Sequence, residues 1–397
     1  MKRLCIKNLG PLKSVSIELG RFNLIIGKQS SGKSCVLKTA CYCAWVEKYI
    51  QLAQSADSFV SGKINFIENF VSYHKLKGYI QKDTSIEYES DYMHFSYEHV
   101  NGTFYFEWKK KRMEYKRPKI SYIPSERNIV SLIPDWKSQV SAYDCVLDFM
   151  KDWDIARKYV QTTPDILNLG LRYQYDETTK EDNIYLPTGF PIALTNSSSG
   201  VQSIVPMYVC LDYITREIYN AENDKDKKRT ELEREKYNNL LFNLYNQSKN
   251  IEIKSENKRI PIQLTIANED FLFGNEDSAN AFKDYVNRYT LIQGSDVYLE
   301  EPENNLFPPT QCQFTDWLIE LSKRRKKTVS LFVTTHSPYI LTHLLQQKIP
   351  GFRLFFTYQS NEATGCNYTV HQATEEELQE IYDNGLDMFF NYEAFIK

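Results

Sequence analysis

Apolar and polar positions alternate in blocks that divide the chain into short strands and helices. Residues 3–7 and 14–19 read as two strands parted by the turn Asn8-Leu9-Gly10-Pro11-Leu12. The run Phe22-Asn23-Leu24-Ile25-Ile26 predicts a third strand, and residues 35–55 are spaced as a helix. From 56 to 117 the pattern is mixed. A helical stretch near 64–80 gives way to alternating aromatic segments, Tyr92 to Tyr97 and Thr103 to Trp108, which predict antiparallel strands. Lys119 to Pro124 reads as a buried strand ending at a proline, 140–170 as helical and 171–192 as a hairpin. Residues 203–250 are helical and charged, and Asn220 to Lys236 reads as an exposed helical hairpin or projecting arm. Two short apolar strands, 296–300 and 328–335, flank a helix at about 310–325. The segment from Phe352 offers two more strand patterns and a short helix. Alternation of strands and helices predicts an α/β domain with a largely parallel central sheet.

The third strand leads into Gly27-Lys28-Gln29-Ser30-Ser31-Gly32-Lys33-Ser34, and a helix-compatible stretch, Cys35 to Ala40, follows it. This is the pattern G-x-x-x-x-G-K-[ST] in its required strand–loop–helix context. Glycines let such a loop curl until several N–H groups point inward at phosphate, and the helix N-terminus adds partial positive charge. Lys33 is expected to reach the β- and γ-phosphates, and Ser34 to ligate Mg²⁺. The sequence therefore predicts binding of a nucleoside triphosphate.

Composition narrows the class. The 397 residues are 42% hydrophobic, enough for one large domain with insertions or for two domains. The net charge is −3, so a nucleic-acid partner would need a local basic patch. Two basic runs exist, Lys109 to Arg112 and Lys323 to Lys327. The first reads as a hairpin turn and the second as the cationic end of a helix, with a nucleic-acid contact as the alternative for each. Eight scattered cysteines form no CxxC pair, which suits a reducing compartment. The start of the chain enters a strand at once without a signal-peptide core, and no run approaches transmembrane length. The expectation is a soluble, cytoplasmic protein with no membrane partner.

Four further segments fit one ATPase scheme. Val297-Tyr298-Leu299-Glu300-Glu301-Pro302-Glu303 is an apolar strand ending in acids, the Walker B arrangement. Glu300 is expected to hold the Mg²⁺ shell and Glu301 to polarise the attacking water. Ser197-Ser198-Ser199-Gly200-Val201-Gln202 precedes a helix and has donors for an anionic phosphate, although alone it is only a serine-rich cap. Thr334-Thr335-His336-Ser337-Pro338 follows an apolar strand and puts His336 where it could sense a γ-phosphate. Tyr122-Ile123-Pro124-Ser125-Glu126-Arg127 is a strand-to-loop switch with a polar tip.

In this order the segments resemble the ABC-like ATPase heads of the RecF/SMC/OLD type, and most closely the AAA ATPases associated with OLD-like proteins. The resemblance runs from the first strand to about residue 340. It implies a single ABC-like P-loop NTPase domain over 1–397, with an antiparallel β subdomain, an insertion at 41–117 (helical plus antiparallel strands) and a helical insertion or arm at 203–285. It implies ATP and Mg²⁺ as ligands. The nucleotide contacts would be Asn8 in the N-terminal turn, Gly27, Lys28, Gln29, Ser30, Ser31, Gly32, Lys33, Ser34 and Cys35 in the loop, and Ser198, Ser199, Gly200 and Gln202 in the signature segment. The metal ligands would be Ser34 and Glu300, and the catalytic residues Glu301, Lys33 and His336. Glu303 to Pro308 matches the D-loop region. Three departures are visible: Glu300 stands where Asp is commoner, Val201 replaces a signature glycine, and Ser125-Glu126-Arg127 replaces a loop that often carries Gln. About 60 residues follow His336, so no C-terminal Toprim nuclease is expected. The implied mechanism is a homodimer, or a higher oligomer built from it, that sandwiches two ATP molecules. The implied role is a switch for a separate nuclease or toxin in bacterial anti-phage defence. The alternative is a RecF/SMC-like DNA-binding ATPase.

Overall fold

The computed structural model describes residues 2–133, 143–187, 189–221, 231–252, 262–267, 269–347, 349–360 and 367–384. The first three strands are β1 (Lys2–Leu9), β2 (Leu12–Leu19) and β3 (Phe22–Gly27). An aromatic meander follows as β4 (Ile80–Glu89), β5 (Met93–Glu98) and β6 (Thr103–Trp108), then β7 (Pro118–Ile123). A small sheet is made by β8 (Arg172–Asp176), β9 (Glu181–Tyr185) and β10 (Pro191–Ala193), and a hairpin by β11 (Ile262–Ile266) and β12 (Glu269–Phe273). The last strands are β13 (Gly294–Glu300), β14 (Thr328–Thr335), β15 (Phe352–Gln359) and β16 (Tyr368–Gln372).

Among the described residues, one sheet of eleven strands has the order β6-β5-β4-β1-β2-β16-β15-β3-β14-β13-β7. The strands β7, β13, β14, β3 and β15 pair in parallel. The meander and the first hairpin are antiparallel and continue the same hydrogen-bonded sheet. The pairing follows from side-chain pattern. β3 and β13 are buried at every position, as strands covered on both faces must be; β3 reads as a largely apolar run, and β13 carries its apolar residues at Val297, Tyr298 and Leu299. β5 alternates buried with half-buried residues, which suits a strand with one covered face. The protein is thus a mixed α/β fold with a parallel central block.

Each face of the block has its own core. The helix Lys33–Ala53 packs Val36, Leu37 and Ala40 against Ile25, while its far end meets the aromatic layer Phe59, Phe66, Phe70, Phe95 and Phe104. On the other face, helices Cys145–Val160, Ser199–Asp212, Pro308–Ser322 and Pro338–Leu345 enclose Trp153, Leu299, Phe314 and Leu331. A third cluster joins helix Glu231–Glu252, the β11–β12 hairpin and helix Glu276–Thr290 through Leu241, Leu244, Phe271 and Phe282.

Several elements differ from the sequence pattern for identifiable reasons. The helix near 64–80 spans only Phe66–His74, because Lys75 adopts a left-handed φ of 56° and closes it. The expected arm at 203–285 begins inside the main core, where Ile204, Val205 and Met207 are buried, and it contains the β11–β12 hairpin. Its residues 222–230 and 253–261 lie outside the described residues. Lys109 to Arg112 is not a hairpin turn. It follows β6 and leads into a turn at Arg112–Glu114, with Lys109 paired to Glu89 and Arg112 stacked 5.1 Å over Trp108. The second basic run does end its helix: Lys323 caps Pro308–Ser322, Arg324 donates to the Thr215 carbonyl at 2.8 Å, and Lys327 donates to the Ile292 carbonyl at 2.7 Å. No helix among the described residues is long and apolar enough to cross a membrane.

Candidate active site

The loop after β3 is shaped by what surrounds it. Gly27 has φ 151°, and a Cβ there would lie 1.9 Å from Thr357 Oγ1 on the adjacent β15. Gly32 has φ 96°, and its Cβ would lie 2.5 Å from Leu12 Cδ2. Only glycine satisfies both constraints, so the loop carries no side chain at these points. Ser31 Oγ donates to the Lys28 carbonyl at 2.6 Å and also meets Thr357 Oγ1, pinning the loop from behind. Lys33 opens the helix, and its buried Nζ donates to the carbonyls of Gly27 at 2.9 Å and Lys28 at 2.7 Å. Burial draws the Lys33 ammonium down to about 8, against the opposing pull of Glu301 and Glu303.

A cavity of about 740 Å³ opens over this loop. Gln29, Ser30, Gly32, Lys33, Ser34 and Cys35 form one wall, Glu301 and His336 a second, and Gly10, Pro11, Gly78, Tyr79 and Gln81 a third. Gly27, Lys28 and Ser31 are not part of the lining and build the loop behind it. Asn8 does not line the cavity either. Its amide donates to Asp83 at 2.6 Å and its carbonyl accepts from Thr84 Oγ1, so it shapes the turn that carries Gly10 and Pro11. The wall from Gly78 to Gln81 is absent from the sequence reading. No motif marks it, because the chain returns there only after the helix Phe66–His74.

β13 delivers the acids. Glu300 is buried at the strand end and off the cavity lining. Glu301 leaves the strand with φ 41°, and its N–H donates to the Thr334 carbonyl at 2.9 Å. Its carboxylate stands 3.5 Å from His336 Nε2 and accepts from Asn304 Nδ2 at 3.0 Å. The His336 imidazole holds the Glu301 carboxyl down to about 2 against the effect of burial, with Asn304 and Lys33 adding to it. The backbone N–H of His336 donates to Glu303 Oε1 at 2.5 Å. Burial raises the Glu303 carboxyl above its ordinary value. Arg127, read from sequence as part of a polar tip, is completely buried and bonds to the carbonyls around Glu301. A lone arginine three residues past a strand-ending proline carries no sequence signal for that role.

The signature segment lies elsewhere. Ser198 caps helix Ser199–Asp212, accepting from the Val201 N–H at 3.5 Å, and both Ser198 and Ser199 are exposed. Gln202 Nε2 turns back to the Thr195 carbonyl at 2.9 Å. Ser203 Oγ donates to the Asn304 carbonyl at 2.9 Å, and a Cβ on Gly200 would meet the Asn305 carbonyl at 3.0 Å. None of Ser198, Ser199, Gly200 and Gln202 lines the cavity of its own chain. The structure therefore brings together Lys33, Ser34, Glu301 and His336 and keeps the signature segment apart, packed on the loop after Glu303.

No protein-family model matches this chain, and no curated protein matches it in sequence. Among solved structures it is similar to an SMC head domain from Thermotoga maritima, at 9% identity and a TM-score of 0.41, over 94% of this chain and 98% of that one. It is similar to an SMC head bound to the C-winged helix domain of ScpA, at 11% identity and a TM-score of 0.39, over 96% and 99% of the two chains. An ATP-binding cassette of an ABC transporter matches at 11% identity and a TM-score of 0.35, over 98% and 99%.

Proposed function

We propose that this chain is an ATP-binding and ATP-hydrolysing head that dimerises around ATP and switches a separate effector. The observation that carries the reading is the convergence of Lys33, Ser34, Glu301 and His336 on one cavity of about 740 Å³. The residues fit a nucleoside triphosphate. Thr357 and Leu12 fill the space where Gly27 and Gly32 would carry side chains, so the loop offers backbone to a phosphate chain. Tyr79, Gly10 and Pro11 offer a flat, less polar wall to a base. Ser34, in the cavity wall, would ligate Mg²⁺, and Glu300, buried behind the lining, would hold the ion's water shell; the ion would supply neutralisation of phosphate charge.

The residues then divide the work. Lys33 exchanges the loop carbonyls it now bonds for phosphate oxygens. Glu301 is ionised at neutral pH and accepts a hydrogen bond from the attacking water; with its carboxyl near 2, it orients that water more than it deprotonates it. His336 fixes the Glu301 carboxylate from the side. Ser198, Ser199, Gly200 and Gln202, set away from their own cavity, complete the cavity of a second copy. ATP thereby joins two heads and its hydrolysis releases them, a γ-phosphate-dependent switch. The motif order shared with OLD-like heads supports anti-phage defence as the setting, with a nuclease or toxin as the effector. The exposed Lys110, Lys111, Arg325 and Lys326 favour the second reading, a RecF/SMC-like ATPase on DNA.

Nucleotide binding, turnover and mass of the wild type, Lys33→Ala and Glu301→Gln in Mg²⁺-ATP test the reading. The expected results are turnover by the wild type, loss of binding in Lys33→Ala, and an ATP-retaining dimer of Glu301→Gln. Wild-type turnover by Glu301→Gln, or normal binding by Lys33→Ala, overturns it. Affinity capture with ATP-loaded Glu301→Gln then separates the two roles. A retained nuclease or toxin supports the switch, and salt-sensitive DNA with no protein partner supports the second reading.

A further inference from the structure

We infer that Arg127 is a positioning residue: its guanidinium holds the turn after β13 in the one backbone geometry that points Glu301 into the cavity. The catalytic consequence rests on the ATPase reading; the structural claim does not. Glu301 is a non-glycine residue at φ 41°. An L-residue keeps that left-handed conformation only where its surroundings over-determine it. Two constraints are main-chain bonds: its own N–H donates to the Thr334 carbonyl at 2.9 Å, and its carbonyl accepts from the Asn304 N–H at 3.1 Å. The others come from Arg127. Its Nη1 donates to the Glu300 carbonyl at 3.0 Å, and its Nη2 donates to the carbonyls of Glu301 at 3.0 Å and Pro302 at 3.2 Å. Nη1 also approaches the Pro124 carbonyl of its own loop at 3.4 Å. Three consecutive peptide units are thus held by one rigid plane.

The side chain is used in an unusual way. Arg127 is 0% exposed, and the bonds it donates are to main-chain carbonyls. Burying a guanidinium is costly, and the carboxylates of Glu303, Glu301 and Glu300 offset that cost by their field. Burial draws the group down to about 10, so it stays charged at neutral pH. Lysine cannot replace it, because a single ammonium lacks the planar fork that reaches three carbonyls at once. Arg127 is also off the cavity lining, so it touches no bound nucleotide. It acts on the reaction through the backbone that carries Glu301.

Arg127→Lys and Arg127→Gln test the inference in the full-length chain, with a fluorescent ATP analogue for affinity, steady-state turnover, and crystal structures of both variants. The expected outcome is analogue affinity within about twofold of wild type and a fall in kcat of about a hundredfold, the cost of misplacing a catalytic group by about 1 Å. In the variant crystals residue 301 leaves the left-handed region and its carboxylate moves off His336. Wild-type kcat in both variants, affinity falling in step with kcat, or an unchanged backbone at residue 301 overturns it. If Arg127→Gln does not fold, Arg127→Lys alone decides. A wild-type chain that does not hydrolyse ATP ends the ATPase reading instead, and the backbone of residue 301 in the variants then decides the positioning role.

Discussion

His74 closes the helix Phe66–His74 completely buried, with neither ring nitrogen hydrogen-bonded. The rings of Tyr42, Phe70, Tyr73 and Tyr122 pack edge-on around it. Burial, helped by the charge of Lys38, holds its pKa well below the ordinary value. The sign of the linkage follows. Below about pH 6.5 the unfolded chain takes up a proton that the folded chain refuses, so stability falls as pH falls, by up to about 1.4 kcal/mol per unit from this residue. Urea unfolding of wild type and His74→Phe at pH 5.5, 6.5 and 7.5 checks this. The variant is expected to lose that acid-side slope, and at pH 7.5 to be no less stable, since it removes two buried unpaired nitrogens. Equal slopes in the two proteins would show that His74 is not the titrating group. The site residues were unequally legible at this scale. Lys33, Ser34, Glu301 and His336 sit in short patterns whose chemistry fixes their neighbours. Arg127, Tyr79 and Gln81 have no such pattern, because the partners that place them at the site, Glu300 and Gly10, are distant along the chain.

The glycine loop after β3 is an element whose shape is enforced by other elements. The Cβ of a Gly27→Ala variant would meet Thr357 Oγ1 at 1.9 Å and the Thr357 carbonyl at 2.7 Å. Overpacking of this kind costs about 1–3 kcal/mol. Gly27→Ala is therefore expected to lower the unfolding midpoint and to weaken ATP binding by displacing the loop. Adding Thr357→Ala should recover only part of both losses, because the main-chain clash persists. Calorimetry and an ATP-binding titration on the single and double variants give the answer, and full recovery would assign the effect to the hydroxyl alone. The strand and helix either side of the loop were readable from periodicity. The contact with β15 was not, since β3 and β15 are joined by hydrogen bonds over more than 300 residues of sequence.

At the scale of the whole molecule, the parallel block and the meander form one sheet, and the two halves of the proposed active centre sit on separate surfaces of the chain. Ser199 is exposed at a helix start and makes no contact with the cavity. Ser199→Arg is therefore expected to leave folding and monomer binding of ATP unchanged while abolishing ATP-dependent dimers of the Glu301→Gln background. Light scattering with and without Mg²⁺-ATP reads this directly, and dimers that persist in the double variant would remove the signature segment from the interface. The basic runs weigh less at this scale than in sequence. Lys109, Arg112, Arg324 and Lys327 are engaged within the fold, so the cations left to meet DNA are few.

The sequence by itself determined the elements whose causes are local: the glycine loop between an apolar strand and a helix, the acid pair at the end of β13, the serine cap of helix Ser199–Asp212 and the alternating strands β5 and β6. Each depends on residues within a few positions of one another, where backbone sterics and side-chain period decide the outcome. Tertiary structure alone decided which elements meet. It set Tyr79 and Gln81 beside the glycine loop, joined the meander to the parallel block, paired Lys109 with Glu89 and Lys327 with the Ile292 carbonyl, and buried Arg127 under Glu301. The physical reason is that burial and main-chain hydrogen bonds between distant segments exist only once the whole chain has folded.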